Sequence, residues 1–99
     1  MSKLHVDFQE GFARDEIDLR INGQERLQKE GVTTNLLLGL ALSAEIEVPD
    51  GRVTIEIKIP TKNLAKTISL ESSGSEYLAV SIENGKIEHI VSQKPFGYA

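Results

Sequence analysis

The sequence predicts an all-β domain: a small antiparallel β-sandwich of about eight short strands, with a small closed or partly open barrel as the alternative. Two observations carry this. Apolar residues alternate with polar ones in run after run, which is the period of a half-buried strand. Turn signals such as Asn22-Gly23, Pro49-Asp50-Gly51 and Asn84-Gly85 recur between those runs, at the spacing expected of a sandwich or small barrel.

Leu4, Val6 and Phe8 alternate with His5, Asp7 and Gln9, predicting a first strand near residues 3–9. Residues 11–15 are a connection containing Phe12. Ile17, Leu19 and Ile21 carry a second strand that runs into Asn22-Gly23, a pair favouring a tight turn with positive φ at both central positions. A strict two-residue turn pairs Leu19 with Arg26 and turns Leu27 to solvent, so a bulge near Gln24 is expected, pairing Leu19 with Leu27. The third strand, near 24–29, is mostly polar and reads as a sheet edge.

Residues 31–35 (GVTTN) read as a loop. From Leu36 to Val48 the even positions form one apolar face, long for a single strand, with Gly39 read as the bend where one segment ends or turns a corner between sheets. A helix through 36–44 competes, but no cap is expected to precede the run and the alternation continues unbroken into 45–48. The clearest stretch follows, EIEVPDGRVTIEIKI from Glu45 to Ile59. Ile46 and Val48 share a face, as do Val53, Ile55, Ile57 and Ile59. A hairpin with an even four-residue loop, placing Val48 opposite Val53, buries both sets on one side.

Pro60 to Asn63 breaks that strand. Another is predicted near 65–71, followed by the polar loop Ser72-Ser73-Gly74-Ser75. Leu78, Val80 and Ile82 then alternate up to Asn84-Gly85. Here a two-residue turn pairs Ile82 with Ile87, Val80 with His89 and Leu78 with Val91. The tail KPFGYA is too short and too rich in Pro and Gly to be regular.

The chain of 99 residues, 1–99, reads as a single domain with residues 95–99 as a tail packed on it. Without cysteine there are no disulfides, thiolate metal sites or cysteine nucleophiles. The net charge is −4, with the acidic excess in the first half. That balance weighs against nucleic-acid and anionic-membrane partners. The opening MSKLHVDFQ has no apolar signal core, and the longest apolar run is too short to span a bilayer, so a cytoplasmic protein is expected.

No residue pattern nominates catalysis, metal or cofactor binding. His5 and His89 are the only histidines, with His5 on a polar strand face. The hairpin places His89 among Val80 and Leu78, where a bond to a neighbouring carbonyl or hydroxyl is expected. Asp15, Glu16 and Asp18 suggest calcium only weakly, because they do not share one strand face. Lys58, Lys62 and Lys66 surround Pro60 as a basic patch that could hold an anion or acidic partner, or simply be solvated. The aromatics Phe8, Phe12, Phe96 and Tyr98 cluster at the two chain ends. The tail is therefore expected to plug one end of the core, unless it serves as a recognition peptide. Leu37 lies opposite Leu36 and Leu38, so a loop or the tail covers it, or it belongs to a subunit interface.

The sequence therefore points to a non-catalytic interaction or accessory module. It acts on an unknown protein or on a second copy as a homodimer, through Leu37, Phe96, Tyr98, the three lysines or exposed strand edges. A small-ligand binder with a cavity in a barrel or between sheets is the alternative, and a small enzyme the third reading.

Overall fold

Every predicted run of alternation becomes a strand, one of them over only its second half, in the computed structural model of the chain, which describes residues 1–98. Ala99, the last residue of the predicted tail, lies outside the described residues. The strands are β1 (Ser2–Phe8), β2 (Asp15–Ile21), β3 (Gln24–Val32), β4 (Leu42–Val48), β5 (Gly51–Ile59), β6 (Leu64–Ser72), β7 (Ser75–Glu83) and β8 (Lys86–Ser92). They form two four-stranded sheets, ordered β4-β1-β7-β8 and β3-β2-β5-β6. The sheets pack face to face as a sandwich, and no barrel closes.

The alternation explains the core. Leu4, Val6 and Phe8 of β1 and Leu78 and Val80 of β7 face Ile17 and Leu19 of β2 and Val53, Ile55, Ile57 and Ile59 of β5, all essentially inaccessible to water. Burying side chains of this size contributes roughly 1.5–3 kcal/mol each before the entropy of ordering them is subtracted. Phe8 and Phe12 meet edge to face, their centroids 5.8 Å apart. Among the described residues no helix is long and apolar enough to cross a membrane, which says nothing of strands.

Three local hairpins form, and two are those expected. In β7–β8, Ile82 meets Ile87, Val80 meets His89 and Leu78 meets Val91 across the two-residue Asn84-Gly85 turn. In β2–β3, Leu19 meets Leu27, and β3 is an edge strand. The bulge falls at Arg26 rather than Gln24, since Leu19 pairs with Leu27 and Arg20 with Glu25. Asn22 and Gly23 therefore keep a tight turn with φ of 51° and 82°. A second irregularity, between Asp15 and Ile17, lets β3 run on to Val32.

The expected hairpin from Glu45 to Ile59 does not form. β4 pairs with β1, placing Ile46 opposite Leu4, whereas β5 pairs with β2 and β6. Pro49-Asp50 is a link between sheets. Alternation could not separate these outcomes, because Ile46, Val48, Val53 and Ile55 point into the core in both. The third hairpin is β5–β6 instead. Pro60–Lys62 form a single 3₁₀ turn and Asn63 takes φ of 55°, so the predicted break is a reversal that pairs Ile59 with Leu64.

The long strand expected from Leu36 is also corrected. Residues 36–39 form a turn closed by a bridge between Asn35 and Leu40, and β4 starts only at Leu42. One pair was not signalled at all: β1 and β7 run parallel, with Val6 beside Leu78. Ladders of that kind join distant segments and leave no turn signature.

Two links that change sheets meet at Ser2. Its buried hydroxyl donates to the Asp50 carboxylate and accepts from the Gly74 N–H at 3.0 Å. The Lys3 N–H adds a bond to the Gly74 carbonyl at 2.8 Å.

Candidate functional site

The turn between β3 and β4 is held from both sides. Thr34 donates its N–H to the Phe12 carbonyl at 2.9 Å and its hydroxyl to the Gln9 carbonyl at 2.6 Å. Ala41 donates to the Phe8 carbonyl at 2.7 Å. Within the turn the Asn35 Oδ1 accepts from the Leu37 and Leu38 N–H groups at 2.9 and 3.3 Å, as a helix cap does. Its carbonyl accepts from Gly39 at 2.7 Å, and Gly39 takes φ of 70°. Contrary to the expectation that no cap precedes Leu36, Asn35 is a cap, and it closes one turn rather than a helix.

This anchored turn presents leucines to water. Leu36 is 91% exposed and Leu37 89%, with Leu38 also open. Among the described residues neither the tail nor a loop covers Leu37. Its neighbour Leu36, expected to face the core, is as bare. Three consecutive leucines on a fixed turn make an exposed apolar tip.

The second feature lies on the outer face of the β4-β1-β7-β8 sheet, where His5, Asp7, Ser43, Glu45 and Tyr77 project away from the core. His5 and Tyr77, adjacent across the parallel pair, stack with ring centroids 4.5 Å apart and an angle of 11°. The His5 Nδ1 lies 3.3 Å from the Glu45 carboxylate, which Lys3 also approaches at 3.1 Å. The tail crosses this face. The Tyr98 hydroxyl donates to Asp7 at 2.7 Å and accepts from the Gln9 amide at 2.8 Å, while Ser43 donates to the other Asp7 oxygen at 2.8 Å. Burial and the bond to Asp7 push the Tyr98 phenol up to about 12, although the Gln9 bond opposes them. Phe96 is half-buried here and, with His5, Asp7, Ser43, Glu45 and Tyr77, walls a groove of about 340 Å³. The tail thus lies on the outside of a sheet and does not plug the core, where Phe8 and Phe12 pack on each other.

The three lysines do not assemble. Lys58 sits on the outer face of β5, 3.9 Å from Glu56. Lys66 reaches across the sandwich edge and donates to the Ile87 carbonyl of β8 at 3.2 Å. Lys62 is bound to Asp15 at 2.6 Å. Asp15 is 1% exposed and also accepts from the Thr61 hydroxyl at 2.6 Å and the Ala13 N–H at 2.8 Å. Burial opposes its ionisation, but Lys62, Thr61 and Ala13 together outweigh burial and hold the carboxyl below its ordinary range. Asp15 is a structural anchor for the 3₁₀ turn.

The histidines stay apart, His5 outside the sheet and His89 on its inner side at the edge. Among the described residues the His89 Nδ1 has no hydrogen-bond partner, contrary to expectation. Burial and the nearby Lys66 ammonium lower its basicity. No three His, Cys, Asp or Glu side chains gather as metal ligands among the described residues.

No family model matches the chain, and no curated protein matches it. Among solved structures it is similar to a candidate cell adhesion protein from Bacteroides ovatus, at 14% identity and a TM-score of 0.53. The match covers 94% of this chain but 44% of that one, so the chain spans less than half of its neighbour's length. At that identity the likeness is one of fold.

Proposed function

We propose that this chain is a non-catalytic binding domain that recognises another protein through the leucine tip between β3 and β4. The observation that carries the reading is the near-complete exposure of Leu36 and Leu37 on a turn fixed by Asn35, Thr34 and Ala41. Leaving two leucines in water forgoes roughly 1.5–3 kcal/mol each, which docking into an apolar pocket recovers. A fixed turn also loses little conformational entropy on binding. The likeness to a candidate adhesion protein is compatible with a binding role and supports nothing finer. An interior ligand cavity has less support, because side chains from both sheets fill the core and no barrel closes.

The test is a Leu36→Ser/Leu37→Ser double variant. Its melting temperature is expected to match that of the parent, since neither side chain is buried. Proteins that co-purify with the tagged parent from its native cell are expected to be lost from the variant. An unchanged set of co-purifying proteins overturns the reading. Sedimentation over a concentration range identifies the case in which the partner is a second copy: the parent then dimerises and the variant does not.

A further inference from the structure

The groove on the outer sheet face is distinct from the leucine tip and has its own chemistry. Its walls hold two carboxylates, Asp7 and Glu45, and no lysine or arginine lines it. Asp7 accepts two hydrogen bonds, from Ser43 and Tyr98, whereas an ionised carboxylate offers about four lone-pair positions. Glu45 is half exposed, and its contacts to Lys3 and His5 are surface pairs of small worth that a better-matched cation displaces. Phe96 and Tyr77 supply aromatic surface beside these charges, and the face of an aromatic ring attracts cations. The net charge of −4 adds a favourable field for a positive partner.

We propose that this groove holds the guanidinium of an arginine side chain presented by a partner protein, bonded by Asp7 and Glu45 and packed against Tyr77 and Phe96. Arginine fits better than lysine because its planar fork bonds carboxylates in pairs and stacks on rings, while an ammonium acts as a point charge. A sugar fits less well. His5 already covers one face of Tyr77, and Phe96 is half-buried, leaving no broad aromatic platform. The volume of about 340 Å³ admits one such side chain with its neighbouring backbone. The site is built from three strands and the tail, and the Tyr98 bond to Asp7 helps hold the tail segment that supplies Phe96.

Titration of the isotopically labelled full chain with the capped tripeptide Gly-Arg-Gly at low salt tests this. Saturable amide shifts are expected at His5, Asp7, Ser43, Glu45, Tyr77 and Phe96. The lysine tripeptide should bind at least several-fold more weakly, and the neutral citrulline tripeptide should leave these amides unmoved. Glu45→Gln, at an exposed position with little bearing on folding, should weaken arginine binding at least several-fold. The leucine-tip double variant should bind arginine as the parent does, which separates this site from the tip. No saturable shift at tens of millimolar overturns the assignment. So does an equal response to citrulline, an unaffected Glu45→Gln variant, or a methyl glucoside that moves these amides where arginine does not.

Discussion

Asp15 shows how much one side chain can decide. Three donors converge on a carboxylate that water does not reach, and they tie the start of β2 to the 3₁₀ turn between β5 and β6. Removing one partner of a buried ion pair is costly, because the other groups lose a bond they cannot replace. Asp15→Asn is expected to lower stability at neutral pH by about 1–3 kcal/mol, read from urea melts. The pH dependence has a definite sign. The folded-state pKa of Asp15 lies below its ordinary 3.8, so the contribution is present above that value and lost as pH falls through the depressed one. Stability measured toward low pH should therefore fall less in the variant than in the parent, and parallel curves refute the role. In the sequence Asp15 is one of several acids near the second strand. Its two side-chain partners, Thr61 and Lys62, lie 46 and 47 positions away, so no local pattern marks them.

The tail and the leucine turn are short segments whose roles depend on what surrounds them. For the tail, proximity of aromatics in sequence was a poor guide. Phe96 and Tyr98 go to the outer sheet face because Asp7 and Gln9 project there to receive the Tyr98 hydroxyl. Burial and the Asp7 bond favour the neutral phenol over its ordinary 10.0, so its contribution is complete below that pH and lost as pH rises through about 12. The Tyr98 ring carbons are expected to titrate near pH 12, with the tail amides losing protection over the same range. Titration near the ordinary value refutes this latch. Leu36 to Leu42 illustrates the opposite difficulty. The alternation there is genuine, but Asn35 and Gly39 close a turn that shifts Leu36 and Leu37 into solvent. An apolar period of two over leucines does not by itself require a strand, and a cap residue at its start was the signal against it.

Across the whole molecule the sheets are joined by links only two residues long at Pro49-Asp50 and Ser73-Gly74, and Ser2 bonds both. Ser2→Ala is expected to cost about 1–2 kcal/mol by leaving the Gly74 N–H and Asp50 without that partner. A denaturant midpoint within error of the parent's refutes the tie. The amino-acid sequence by itself determined the fold class, most strand positions, most of the inward set of apolar residues outside Leu36 to Leu40, the β7–β8 register and the edge position of β3. Those properties are local: side-chain parity, turn chemistry and charge act over a few residues. Tertiary structure alone decided that β4 and β5 belong to different sheets, that β1 and β7 run parallel, and that the tail crosses the outer face to complete a groove. The physical reason is that an inward-facing side chain is equally buried in a hairpin or across a sandwich, so burial fixes which face is apolar and leaves the choice of partner strand to the packing of the whole chain.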